Sequence, residues 1–118
     1  MIMIKVTNIL SEILNTYQIE AVIISDKKTN ISSIFDEIRA LNKVTIVTNI
    51  TPGDYKQTKP NVEFHKVKIK FVTREDPKED IAQLKKDMLT SDLTSDSKRL
   101  KIQGLKSVKF KEETLKRL

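Results

Sequence analysis

The chain has 118 residues, 38% of them hydrophobic, with no cysteine and a formal net charge of +6. That length suits one domain with a modest core and a largely charged surface. The lack of cysteine excludes structural disulfides, thiol catalysis and cysteine-ligated zinc or iron–sulfur sites.

The segment MIMIKVTNILSEILNTY opens the chain. Thr7, Asn8, Ser11, Glu12 and Asn15 make it too polar for a signal peptide or a membrane span, so a soluble cytoplasmic product is expected. Ile2, Val6, Ile9, Leu10, Ile13, Leu14 and Tyr17 recur at helical spacing, which predicts an amphipathic helix over residues 5–17. A short strand over 1–6 followed by a helix from Thr7 is the alternative. The apolar face of Ile9, Leu10, Ile13, Leu14 and Tyr17 is too large to stay wet, which makes this a candidate assembly helix.

Glu20 to Asp26 is apolar on both faces and reads as a central strand. Asn30 or Ser32 is placed to cap a helix with Ile31, Ile34, Phe35, Ile38 and Leu41 on one side and Asp36, Glu37, Arg39 and Asn42 on the other. Val44 to Ile50 is rich in β-branched residues and predicts a strand. The turn-rich stretch TPGDYKQTKPN (51–61) is long for a hairpin connection.

From Val62 to Thr73 the pattern alternates, with Val67, Ile69 and Phe71 on one face and Lys66, Lys68 and Lys70 on the other. Glu75-Asp76-Pro77 opens a second helix with a stripe of Ile81, Leu84, Lys85, Met88 and Leu89 along its apolar side. Gly104 suits a left-handed exit from the polar stretch that follows. Leu105 to Lys111 reads as the last strand, and EETLKRL as a short helix or docked tail.

The order is a helix followed by β-α-β-β-α-β. It predicts an α+β protein, a ferredoxin-like two-layer sandwich with an added N-terminal helix. Residues 1–19 would be that helix. Residues 20–118 would be the ferredoxin-like domain with a basic C-terminal strand and tail. The expected core comprises the four helix-face isoleucines Ile31, Ile34, Ile38 and Ile81, with Phe35, Leu41, Val67, Ile69, Phe71, Leu84 and Phe110.

Charge is unevenly spread. Residues 1–97 hold 14 basic and 14 acidic side chains, whereas residues 98–118 hold 8 basic and 2 acidic ones. Lys66, Lys68, Lys70, Lys109 and Lys111 would share the open sheet face and form a candidate interaction surface. A solvated strand and tail is the plainer explanation of the same charges.

Catalytic signatures are absent from the sequence. Two glycines, Gly53 and Gly104, cannot build a phosphate-cradling loop. The single histidine, His65, has no local metal-ligating partner and reads as a strand residue near a sheet edge. The pairs Asp36-Glu37, Glu75-Asp76 and Glu79-Asp80 fit helix starts and solvated helix faces better than acid–base catalysis. With Phe71 directed inward, the basic face provides no base stacking of the kind RNA-binding sheets use. Eighteen lysines against four arginines also disfavour base-specific readout. No cofactor, metal site or enzymatic activity is expected.

Asp36 to Val47, DEIRALNKVTIV, resembles a pattern of small tailed-phage virion structural proteins, a helix ending in IRAI-x-x-VTIV. Lys66 to Val72 and Ile102 to Leu105 resemble the later parts of that pattern. The family often carries glycine or proline just before VT, where this chain has Asn42-Lys43.

The resemblance implies a ferredoxin-like, non-enzymatic component of capsid, neck or tail, made in the host cytoplasm and located in the virion. Its partners would be other virion structural proteins or copies of itself. A nucleic-acid-binding module using the basic face is the alternative expectation, and an ACT-like regulatory dimer is another.

Overall fold

The computed structural model describes residues 14–53, 55, 59–74, 76–89 and 102–118. In chain order the elements are β1 (Asn15–Asp26), α1 (Ile31–Arg39), β2 (Val44–Asn49), β3 (Val62–Thr73), α2 (Pro77–Leu89) and β4 (Leu105–Arg117). The four strands form one antiparallel sheet in the order β2-β3-β1-β4. This is a mixed α+β architecture. Each β-α-β unit has a strand of the other unit between its own two strands, so the halves interlock.

β1 and β3 form the spine. They pair without a break from Asn15↔Thr73 to Asp26↔Val62. Tyr17, Ile19, Ala21 and Ile23 lie opposite Phe71, Ile69, Val67 and His65 and turn toward the helices. All the register irregularities fall on the partner strands β2 and β4, at the sheet's two edges.

Local chemistry explains the helix starts. Asn30 is in an extended conformation and its side-chain oxygen accepts from the Ser32 N–H, which caps α1. Asp76 does the same for α2, accepting from the Lys78 N–H at 2.9 Å, and Pro77 follows where a missing N–H costs nothing. Ile34, Phe35 and Ile38 of α1 and Ile81, Leu84 and Met88 of α2 bury against the same sheet face. Leu41, Val44, Val47, Ile102, Leu105 and Val108 complete the core, while Ile31 and Phe110 are partly buried at its margin.

The N-terminal expectation needs correcting. Asn15, Thr16 and Tyr17, the last turn of the expected helix, begin β1 instead, and Leu14 before them is exposed. Ile9, Leu10 and Ile13 lie outside the described residues. The boundary placed between 19 and 20 thus runs through a strand. Tyr17 belongs to the period-two series that continues through Ile19, Ala21 and Ile23, and its ring stacks on Phe71 with centroids 6.1 Å apart. The C-terminal segment is also a strand: β4 runs to Arg117, with Gln18↔Lys116 and Tyr17↔Arg117 paired.

Two positions adopt positive φ. Gly104 has φ 85°, and a Cβ there would run into the side chain of Thr29. The close approach lets the Gly104 carbonyl accept from the Asp26 N–H at 2.8 Å, which joins the β1 exit to the start of β4. Lys43, just before β2, has φ 76° without being glycine. Its ammonium donates to Asp80 Oδ1 at 2.7 Å, so an ion pair with α2 accompanies the strained turn.

Candidate functional site

The face of the sheet away from the helices carries the unusual chemistry. On β3 it presents Phe64, Lys66, Lys68, Lys70 and Val72, and on β1 Gln18, Glu20, Val22 and Ile24. On β4 it presents Ser107, Lys109 and Lys111, with Lys116 beyond a bulge. The register aligns them in rows across the sheet: Lys66–Val22–Lys109, Lys68–Glu20–Lys111 and Lys70–Gln18–Lys116. Two lysine rails therefore flank a central strip from β1. With strands about 4.8 Å apart, the rails stand about 10 Å from each other.

The five lysines singled out from the sequence thus share one face, on the strands expected of them. Among the described residues the ion pairs are Arg39–Asp36, Lys43–Asp80 and His65–Glu63, and none involves a lysine of this face. Glu20 sits between Lys68 and Lys111 without approaching either within ion-pair distance. Lys66 lies over the Tyr55 ring at 5.0 Å from its centroid.

The bulge in β4 has a specific support. Between Lys111, which pairs with Glu20, and Lys116, which pairs with Gln18, the strand carries an extra loop of chain. Thr114 Oγ1 accepts from the Glu20 N–H at 2.8 Å and donates to the Lys111 carbonyl at 2.5 Å. One hydroxyl replaces the missing ladder contact and brings Lys116 back onto the lysine-bearing face.

Two features escaped the sequence reading. Phe64 alternates with Lys66 and so stands on the basic face, half-buried beside Ile24, while Tyr55 reaches the same area from the 51–61 loop. Aromatic surface is therefore present where none was expected. The signal for Phe64 was the same period-two count that placed the lysines. Asp80 also departs from expectation: it is buried, not part of a solvated acidic helix start, and its Oδ2 has no hydrogen-bond partner.

His65 lies on the core face of a central strand, not at a sheet edge. Its Nε2 is 3.3 Å from both Ser25 Oγ and Glu63 Oε2, and the Phe35 ring meets it edge-on. Burial lowers its pKa below the ordinary 6.5, while Glu63 pulls weakly in the opposite direction. The unfolded chain binds this proton more readily than the folded one. The contribution to stability is therefore complete above pH 6.5 and declines as pH falls toward the folded value. Urea titrations at about pH 7.5 and 5.5 should reveal that loss, and His65→Gln should reduce it. An unchanged pH slope in the variant would assign the effect elsewhere.

A depression of about 550 Å³ at one end of the sheet is lined by Asp26, Lys27, Lys28, Asn61, Val62 and Lys106. It contains no nucleophile paired with a base. Among the described residues no cluster of three or more His, Asp or Glu side chains is placed to hold a metal ion. Nor is any helix among them long and apolar enough to cross a membrane. In comparison with known proteins, no family model, no curated protein and no solved structure matches this chain.

Proposed function

We propose that this chain is a non-enzymatic structural or assembly component of a tailed-phage virion, working through contacts made by its sheet. The observation that carries the reading is the division of labour in that sheet. Among the described residues, one face is spent on the core, whereas no helix covers the other face or either edge. At the β2 edge Thr45, Ile46, Thr48 and Asn49 are exposed, with Ile46 45% accessible. An uncovered edge retains a row of main-chain donors and acceptors suited to a neighbouring chain.

The DEIRALNKVTIV resemblance supplies the phage context and the expected partners, other virion proteins or further copies of this chain. We also propose the finer fold, a ferredoxin-like split β-α-β sandwich. Read from the β4 edge the strand order is β4-β1-β3-β2, and its interlocked halves support that assignment. The family often carries glycine or proline in this turn, where this chain has Asn42-Lys43; with Lys43 at φ 76°, glycine suits that backbone and proline does not.

Mass spectrometry of purified particles from the source phage tests the function. The chain should be present at a stoichiometry comparable with other minor structural proteins. Its consistent absence from intact particles would overturn the proposal.

A further inference from the structure

We infer that the basic sheet face binds single-stranded nucleic acid, with the strand lying along β1 between the two lysine rails. This deepens the contact-module reading by naming what its open face takes. Charge complementarity is the first argument. Lys66, Lys68 and Lys70 on one rail and Lys109, Lys111 and Lys116 on the other face Glu20 as the one carboxylate in the three aligned rows. Among the described residues no carboxylate lies within ion-pair distance of these six ammonium groups, which leaves a strongly positive strip.

Spacing is the second argument. Alternate residues on a strand are about 6.7 Å apart. That repeat is commensurate with neighbouring phosphates of an extended single strand, so each rail can follow a backbone for three nucleotides. Aromatic surface is the third. Phe64 stands at the end of the β3 rail and Tyr55 beside Lys66, where a base can stack without its identity being read. Lysine point charges in place of arginine forks give the same expectation, affinity without sequence preference.

An acidic protein surface fits less well. Protein interfaces are organised round an apolar centre. Between the rails the apolar contribution is Val22, which is only partly exposed, and the exposed large hydrophobic residues among those described, Leu14, Ile46 and Leu118, lie outside them.

Fluorescence anisotropy with the full chain and labelled oligo(dT) or oligo(U) of about 20 nucleotides tests the inference. Three rows along one strand neutralise about three phosphates and predict a log–log salt slope of about −2, or a loss of affinity of about 20-fold between 50 and 200 mM salt. Combined Lys68→Glu and Lys109→Glu should weaken binding more than 10-fold at low salt. Tyr55→Ala should weaken it about 5-fold with the salt slope preserved. Lys85→Glu with Lys86→Glu reverses the same number of exposed charges on α2 and should change affinity less than 3-fold, with circular dichroism confirming that each variant is folded.

Absence of binding at 50 mM salt would overturn the inference, as would equal losses from the α2 and sheet-face pairs. Binding of poly-glutamate as tight as that of oligo(dT) would overturn it in favour of an acidic protein partner. Particle mass spectrometry is independent of these measurements. A chain present in particles but unable to bind oligonucleotide removes this inference alone, and a binding chain missing from particles removes the virion assignment alone.

Discussion

Phe71→Ala is expected to destabilise the protein by about 4 kcal/mol, the largest loss of any single substitution considered. Phe71 is fully buried on a central strand, opposite Tyr17 on one side and Val44 on the other. Its removal deletes the stacking partner of Tyr17 and leaves a cavity between two strands that pair across it. Strands locked by main-chain bonds cannot close together to fill that space. Phe71→Leu, which retains most of the volume, should cost about 1 kcal/mol. Urea denaturation of the three proteins measures both values. An alanine variant within 1 kcal/mol of the parent would place Phe71 outside the core.

Lys43→Met is expected to cost about 2 kcal/mol, although it changes a residue at the surface end of a turn. The methionine keeps the stem and loses the ammonium, which strands the Asp80 carboxylate inside the protein. Removing one partner of a fully buried pair costs about 3 to 5 kcal/mol. Lys43 is itself about one-third exposed, and solvent screening reduces that figure.

The sharper measurement is the double variant. Lys43→Met with Asp80→Leu removes both charges and should be more stable than Lys43→Met alone by at least about 1 kcal/mol. Additive losses would show that the two side chains do not act as a pair. The same ion pair accounts for a lysine being tolerated at φ 76°. The strain of that conformation, about 1 to 2 kcal/mol for a residue with a Cβ, is offset by an interaction glycine cannot make.

Where the pattern was local, the sequence was readable. Asn30 before α1, Pro77 at the start of α2 and Gly104 before β4 announce themselves through backbone chemistry that depends on few neighbours. The alternation of β3 placed its three lysines and its three core residues on opposite faces. Asn15–Tyr17 were different. Leu14 and Tyr17 extend a helical series from one side, and Tyr17 begins a period-two series on the other. Pairing with Thr73, Val72 and Phe71, more than fifty residues away, decides between them.

The end of the chain was obscured for the same reason. Glu112 to Arg117 has the composition of a helix, yet its continuation as a strand depends on Gln18 and Tyr17. Asp80 looked like one more acid at a helix start because nothing nearby in sequence marks Lys43 as its partner, 37 positions earlier. In the candidate site the lysines were legible through alternation. Phe64 is legible through the same alternation, whereas the position of Tyr55 is not set by any local pattern.

The distribution of bulges limits how far the sheet could be extended by a neighbouring strand. The central pair is regular, but β2 is interrupted at Thr45 and β4 at Lys106 and again across Glu112 to Leu115. A strand added to either edge meets a break after a few residues and cannot extend the ladder past it. If the proposed assembly uses either edge, that pairing ends within a few residues. It suits a closed set of neighbours and opposes the open-ended stacking by which uninterrupted edges seed fibres.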